Sequence, residues 1–234
     1  MDILITVVTS TIRENMLERV LENFSRQSVE EKELIIILNK NHLKLENLGA
    51  PNIRVFQLDE EKTLGECLNF GSMQARYETI AKFDDDDYYS PVYLENAHRV
   101  LKDKGADVVG KAGIFVYFKK DKLLTVFRPG MNSFFLKNKR VFLAGGTLVF
   151  KKEVLEKAPF QALNNGEDIQ FQKDCLDQKL SLYSGSLHDY VLIRYPESHQ
   201  HSWRVLDETF QKQCRRIALT DTFEEYVHDG GGTL

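Results

Sequence analysis

Five apolar residues in succession, Leu34-Ile35-Ile36-Ile37-Leu38, restrict this chain more than any other stretch. Strand side chains alternate between two faces, so a strand of this composition leaves no face for water. It has to lie in a sheet covered on both sides, as parallel α/β sheets are. Residues 2–8 repeat the pattern with Ile3, Leu4, Ile5, Val7 and Val8, and run into Thr9-Ser10-Thr11. Between the two runs, Leu17, Val20, Leu21 and Phe24 recur at i, i+3, i+4 and i+7, one face of a helix. A weaker strand over 53–58, a helix over 64–76 and a fourth strand over 80–83 continue the alternation. The order predicts a doubly wound α/β sheet. In such sheets ligands bind beyond the carboxyl ends of the strands. Thr9-Ser10-Thr11, Asn39-Lys40-Asn41 and the acidic row Asp84-Asp85-Asp86-Asp87 all fall at those ends and can line one crevice.

The acidic row follows the apolar run Thr79-Ile80-Ala81-Lys82-Phe83, and Ser90-Pro91 behind it reads as the N-cap and first position of a helix over 92–104. Four like charges at a strand end repel each other. A divalent cation among them removes the repulsion, and hard oxygen ligands suit Mg²⁺ or Mn²⁺. The plainer alternative is a solvated acidic loop at a helix N-terminus, where carboxylates are favoured.

Beyond residue 104 the pattern changes. Strands are predicted at 108–109, 113–118, 123–127 and 147–150, with no long helices between them. Gly145-Gly146 marks a tight turn or a close backbone approach. A helix over 152–158 and a polar loop, Asn164-Asn165-Gly166, precede Glu167-Asp168, which open another helix carrying Ile169, Phe171, Cys175 and Leu176. Short strands at 180–183 and 191–195 and a helix over 205–219 follow. The glycine-rich tail from Asp229 reads as mobile. No repeat and no linker divides the chain, so the second half is expected to form the other wall of the crevice.

A chain of 234 residues, 42% apolar and 28% charged, can bury a sizeable core. Its formal net charge of −4 disfavours nucleic acid as a partner. Cys67, Cys175 and Cys214 are widely spaced and form no CxxC, which suggests neither a disulfide framework nor a zinc site and fits a reducing cytoplasm. No apolar run approaches the roughly 18 residues of a membrane span, and the N-terminus lacks the features of a signal peptide. The expected location is cytoplasmic, with no integral membrane segment.

Several motifs on this pattern resemble the family 2 glycosyltransferases, which have the GT-A fold, and the likeness runs from about Ile3 to about Tyr183. Thr9-Ser10-Thr11 stands where that family's opening strand turns. Gly65 and Asn69 match a Gly-x-x-x-Asn element in the helix before the acidic strand. Phe83 and the four aspartates, with Pro91 and Leu94 behind them, match its Asp-x-Asp segment. Residues 145–150 with Glu153 resemble the turn and strand facing the sugar. Gly166-Glu167-Asp168, with Phe171, matches the element that carries the catalytic base in inverting members. There are departures. Asn39 ends the second strand where an Asp that binds the base is usual, Leu68 stands where Arg is common, and nothing beyond about residue 185 corresponds.

The resemblance implies a single GT-A domain over 1–234, with a Rossmann-like, mostly parallel central sheet flanked by helices and a smaller mixed acceptor-side half. Residues 1–104 would bind the nucleotide sugar and 105–234 the acceptor. The implied reaction moves a sugar from a nucleotide diphosphate, a UDP-sugar by preference, to a hydroxyl of a glycan, lipid-linked or protein acceptor. The leaving diphosphate gathers negative charge, which a Mn²⁺ or Mg²⁺ ion offsets as a Lewis acid. Asp86 is the implied metal ligand. Thr9, Thr11, Asn39, Asn69, Asp84 and Asp85 fall on the nucleotide side, Asp84 facing the ribose or a metal-bound water. Asp168 would take the acceptor proton and Glu167 would orient a hydroxyl. His199 and His201 are candidates for the metal or the diphosphate, Trp203 for stacking on a sugar, and Arg13, Lys62 and Lys111 for phosphates.

Each residue also has a plainer role: helix capping for Glu167-Asp168, a polar surface loop for the two histidines, a core or interface position for Trp203. A sugar-phosphate nucleotidyltransferase would want a glycine-rich loop after the first strand, and Thr9-Ser10-Thr11-Ile12-Arg13 has no glycine. A GT-A-like module that binds a nucleotide or glycan without turnover is the non-enzyme alternative.

Overall fold

The computed structural model describes residues 3–44, 50–196 and 205–228. Eight strands form a large sheet and five a small one. The large sheet begins with β1 (Ile5–Thr11), β2 (Lys32–Leu38), β3 (Ile53–Gln57) and β4 (Thr79–Lys82), in the order β3-β2-β1-β4 and all parallel. The helices α1 (Leu17–Ser25) and α2 (Leu64–Gln74) connect them. The double-sided apolar runs lie where their composition requires, with residues 34–38 at most 2% exposed. β3 is the sheet edge and only partly buried, in keeping with its weaker pattern.

The short strand β5 (Tyr88–Tyr89) and the helix α3 (Tyr93–Asp103) come next. The chain then returns to the large sheet through β6 (Val108–Gly110) and builds the small one from β7 (Ile114–Phe118) and β8 (Leu123–Phe127). β9 (Phe134–Phe135), β10 (Val149–Lys151), α4 (Val154–Lys157), α5 (Glu167–Asp177), β11 (Leu182–Ser184), β12 (Tyr190–Arg194), α6 (Asp207–Gln211), β13 (Cys214–Leu219) and α7 (Glu224–Val227) complete the chain. The large sheet continues past β4 as β10-β6-β11-β9, with β10 antiparallel to both its neighbours. The small sheet runs β13-β8-β7-β12-β5. Residues after 104 therefore supply strands to both sheets rather than forming a separate layer.

Two expectations need correction. The helix expected over 205–219 exists only as α6, and 214–219 is the strand β13, antiparallel to β8. Phe210, Cys214, Ile217 and Ala218 suit a helical stripe, but pairing with the otherwise open edge of β8 outweighs that local pattern. Ser90 does not cap α3, which starts at Tyr93. Its N–H and its hydroxyl go instead to Asp189, each at 2.9 Å. The two-residue strands β5 and β9 had no signal in the sequence. The predicted tail and residues 197–204, with His199, His201 and Trp203, lie outside the described residues.

β4 belongs to the large sheet and β5 to the small one, so residues 83–87 are the crossing between the two sheets. Phe83 and Tyr89, at either end of the acidic row, stack with ring centroids 3.6 Å apart and planes 4° apart. That contact closes the acidic row into a tight loop. Of the described helices, none is long and apolar enough to cross a membrane.

Candidate active site

The acidic loop opens on a cleft of about 560 Å³, within the range of small-ligand sites. The ends of β1, β2 and β4, the turn at 143–146 and the start of α5 form its walls. It lies at the carboxyl ends of the parallel strands, as the strand order requires.

The four aspartates have separate fates. Asp85 is buried and takes a two-pronged ion pair from Arg13, with a further bond from the Thr11 hydroxyl. Arg13 also reaches Asp86, at 3.1 Å. Asp87 is buried and accepts from the Tyr190 hydroxyl and from the Ile193 N–H, the latter at 3.1 Å. Both partners of Asp87 lie on β12, so this carboxylate ties the acidic loop to the small sheet. Burial and the charges of Asp86 and Asp84 push the Asp87 carboxyl well above the usual carboxylate range. Asp84 pairs with Lys82, the last residue of β4. Its N–H donates to the Tyr89 hydroxyl at 2.8 Å, and that hydroxyl donates to the Gly146 carbonyl at 2.7 Å.

Across the cleft, α5 begins with Glu167 and Asp168 after Gly166, which has φ +77°. The left-handed backbone at Gly166 turns the chain sharply into the helix. Asp168 Oδ1 accepts from the Ile169 N–H at 2.8 Å. Burial raises the Glu167 and Asp168 carboxyls above their usual range, and the nearby Lys82 ammonium opposes both shifts. Lys82 is itself buried. Desolvation works against its charge, but Asp84, Glu167 and Asp168 outweigh it and hold its pKa above the usual value.

Gly145 and Gly146 let the two acidic segments meet. A Cβ on Gly145 would overlap the Asp168 carboxylate. A Cβ on Gly146 would stand 2.8 Å from Asp84 Oδ2 and 3.0 Å from Asp87 Oδ2. Real side-chain carbons essentially never come closer than 3.0 Å to such atoms, so a side chain at either position would displace a carboxylate. The sequence marked this pair as a close approach, and the partners it makes room for are the acids of both segments.

Other predicted residues are divided. Asn39 lines the cleft, its Nδ2 donating to the Asp59 carbonyl at 2.8 Å. Thr11 reaches the site through Asp85. Thr9 is fully buried and is not part of the lining. Asn69 also lies off the cleft, its amide bonded to the Phe160 backbone. Both had been expected on the nucleotide side; the structure places Thr9 inside the sheet and engages the Asn69 amide with the Phe160 backbone. Among the basic candidates, Arg13 and Lys62 line the cleft, whereas Lys111 donates to the Ser186 carbonyl at 2.6 Å. Sequence reasoning missed Lys82, read there as part of a buried strand. A charged residue inside an apolar strand, two positions before an acidic row, was the signal available.

Among the described residues, no group of three or more His, Cys, Asp or Glu side chains is gathered to hold a metal on its own. Asp84 and Asp86 both border the cleft, and the space beside Asp84 Oδ2 is kept by the missing Cβ of Gly146. Two hard oxygen donors fit Mg²⁺ or Mn²⁺ of the kind completed by water and substrate phosphates.

The sequence profile of glycosyl transferase family 2 matches residues 4–158, from β1 through α4 and ending before Glu167. No curated protein sequence matches the chain. Solved structures do. S. aureus TarS 1–349 in complex with UDP-GlcNAc aligns over 90% of this chain and 64% of its own length, with a TM-score of 0.64 and 18% identity. The mannosyltransferase PcManGT from Pyrobaculum calidifontis, in complex with GDP-Man and Mn²⁺, aligns over 87% of this chain and 60% of its own, with a TM-score of 0.61 and 16% identity. The chain thus spans less than two thirds of either protein. At these identities the likeness establishes the fold, which is the mixed α/β architecture expected from the sequence.

Proposed function

This chain belongs to glycosyl transferase family 2, and on that premise we propose that it moves a sugar from a nucleotide diphosphate donor to a hydroxyl acceptor with inversion. The observation that carries the proposal is the meeting of two acidic segments over Gly145-Gly146 in one cleft. A single displacement needs charge stabilisation on the leaving side and a proton acceptor on the attacking side, and a cleft with acids on two walls can supply both.

On the leaving side, Asp86 and Asp84 would hold a Mn²⁺ or Mg²⁺ ion. When bound, such an ion offsets the charge that develops on the diphosphate. Arg13, fixed by Asp85, stands beside Asp86 and adds a permanent positive charge there. Asn39 faces the nucleotide, and because its Nδ2 is engaged by Asp59, its Oδ1 is left to accept from a base N–H. Uracil offers such an N–H, and a UDP-sugar is the favoured donor. TarS in complex with UDP-GlcNAc and PcManGT in complex with GDP-Man and Mn²⁺ support the donor class and the cation.

On the attacking side, Asp168 takes the proton of the acceptor hydroxyl. A raised pKa suits that task, because a base works best when its pKa lies nearer the operating pH. Glu167 and Lys82 orient the reacting hydroxyls beside it. Residues 1–104 carry the donor side and residues after 104 the acceptor side, with a glycan, lipid-linked or protein acceptor. The three free cysteines fit a cytoplasmic site of action.

Calorimetric titration with UDP, GDP and dTDP, each with Mn²⁺ and with EDTA, tests the donor side. The expected result is binding of UDP that requires the ion. Slow, metal-dependent hydrolysis of one UDP-sugar, releasing the inverted sugar, would establish the chemistry. Binding with no hydrolysis and no transfer of any donor would leave a binding module instead.

A further inference from the structure

Two amide side chains, one half-buried and one fully buried, make the same pair of bonds at the two backbone segments that bracket Asp168. Asn69 of α2 donates to the Phe160 carbonyl at 2.8 Å and accepts the Phe160 N–H at 3.0 Å. Gln172 of α5 is fully buried, donates to the Leu143 carbonyl at 3.0 Å and accepts the Leu143 N–H at 2.7 Å. Gln172 Nε2 also reaches the carbonyl of Asp168 itself, at 3.1 Å. A primary amide holds a donating NH2 group and an accepting carbonyl in one fixed plane. Bonding both groups of one residue therefore sets the direction of a backbone segment as well as its distance.

The segments held in this way are not arbitrary. Phe160 opens the irregular stretch 159–166 that delivers the chain to Glu167 and Asp168. Leu143 opens the turn whose Gly145 faces the Asp168 carboxylate. The first segment is seated at further points along α2. Gly65 N–H donates to the Leu163 carbonyl at 3.1 Å, and Leu64 N–H to Asn164 Oδ1 at 3.0 Å. A Cβ at Gly65 would overlap the Gln161 carbonyl. Gly65 and Asn69 stand at i and i+4, on one face of the helix, and together they form a seat for the loop. An irregular loop has no ladder of its own to set its position, so these side-chain bonds do so.

We propose that Asn69 and Gln172 are positioning residues for Asp168, clamping its loop and the facing glycine turn so that the carboxylate stands at a fixed place against Lys82 and Asp84. The proposal rests on the reading of Asp168 as the base, and it gives the Gly-x-x-x-Asn element a task away from the nucleotide. A misplacement of about 1 Å costs up to about 10²-fold in rate, so small loosening is visible in turnover.

The experiment pairs hydrogen exchange of the free protein with kinetics on Asn69→Ala and Gln172→Leu. Asn69→Ala should speed exchange of the amides over 161–169 while those of β1 and β2 keep their protection. It should lower kcat by about 10- to 100-fold and leave UDP affinity within about threefold. Added to Asp168→Asn, it should cause no further loss, because a positioning residue then has nothing to position. Gln172→Leu should behave likewise, with faster exchange at 143–146. Unchanged exchange in these segments, losses that multiply with Asp168→Asn, or weakened UDP binding at full kcat would overturn the proposal. If Asp168→Asn keeps full turnover, the base reading fails, and the exchange data alone decide whether the seat exists. If Asn69→Ala does not fold, Asn164→Ala removes only the exposed Leu64 bond and should shift the same amides in the same direction. No shift there overturns the seat.

Discussion

The acidic loop at 84–87 and the acidic helix start at 167–168 face each other, yet they are built on opposite principles. In the loop, each carboxylate is met by a cation or a hydroxyl: Lys82 for Asp84, Arg13 and Thr11 for Asp85, Arg13 for Asp86, Tyr190 for Asp87. At the helix start, Glu167 and Asp168 share one buried lysine, and burial leaves both easier to protonate than ordinary carboxylates. Burial raises Asp85 and Asp87 of the loop as well, so the contrast lies in the partners: a separate set for each carboxylate in the loop, one shared lysine at the helix start. Acid-rich sites are not uniform, and the partner of each carboxylate says more about its role than its charge does.

The sharpest way to break the comparison is Asp168→Asn. It keeps the shape and removes the proton acceptor, so turnover of a donor–acceptor pair should fall by about 10²- to 10⁴-fold. UDP affinity should stay within a few-fold, because the lost interaction belongs to the transition state. Normal turnover with weakened UDP binding would group Asp168 with the acids of the loop. Next in size is Asp85→Ala, which strips Arg13 of its buried partner. Breaking such a pair costs about 3–5 kcal/mol, and denaturant melts should show it even without ligand. A loss of UDP affinity at unchanged stability would instead make Asp85 a direct ligand.

Asp86→Ala should remove the metal dependence of UDP binding, a loss of at least about tenfold, or about 1.4 kcal/mol. Equal affinity in EDTA and Mn²⁺ for the unmodified protein would end the metal role of the loop. A pH series sharpens the contrast further. Burial raises the Asp85, Asp87, Glu167 and Asp168 carboxyls above the ordinary carboxylate range. The native state therefore binds protons more tightly than the unfolded chain, and stability falls as pH rises from the unfolded values through the folded ones. Glu66 and Asp107 are shifted the other way, but depressed carboxylates act at pH values below their ordinary pKa; His98, lowered by burial, is a single group opposing the four raised acids. In EDTA the melting temperature should thus fall as pH rises above the ordinary carboxylate range of about 4, and Asp168→Asn should flatten part of the slope. A rising melting temperature would mean that the buried acids are not raised. The smallest effects belong to His199→Ala and His201→Ala, which should weaken UDP binding by a few-fold if either side chain reaches the diphosphate. Unchanged affinity in both returns them to the surface.

The sequence made some features plain because their physics is local. β1 and β2 announce themselves through apolar residues on both faces, and the acidic row through the cost of four adjacent charges. What decided the rest was distant. Lys82 matters because Glu167 and Asp168 come to it from another part of the chain. The four aspartates are the same letter four times, and only Arg13 on one side and Tyr190 on the other divide them into roles. Asn69 carried a motif that pointed to the nucleotide, whereas its amide is spent on Phe160. β13 was misread because Phe210, Cys214 and Ile217 satisfy a helix as well as a strand, and the open edge of β8 made the choice.

The crossing at 83–87 has a mechanical consequence. The two sheets are riveted there, by the Phe83–Tyr89 stack and by Asp87 reaching across to Tyr190 and Ile193. When two plates share a rivet, the rivet is the point that moves least, and displacement grows with distance from it. The acidic row thus sits at the joint of the two sheets, and Arg128, Phe142, Asn164 and Asn165 line the same cleft from other parts of the chain. On the proposed reaction, a donor held beside the acidic row would sit next to the point where the two sheets are tied together.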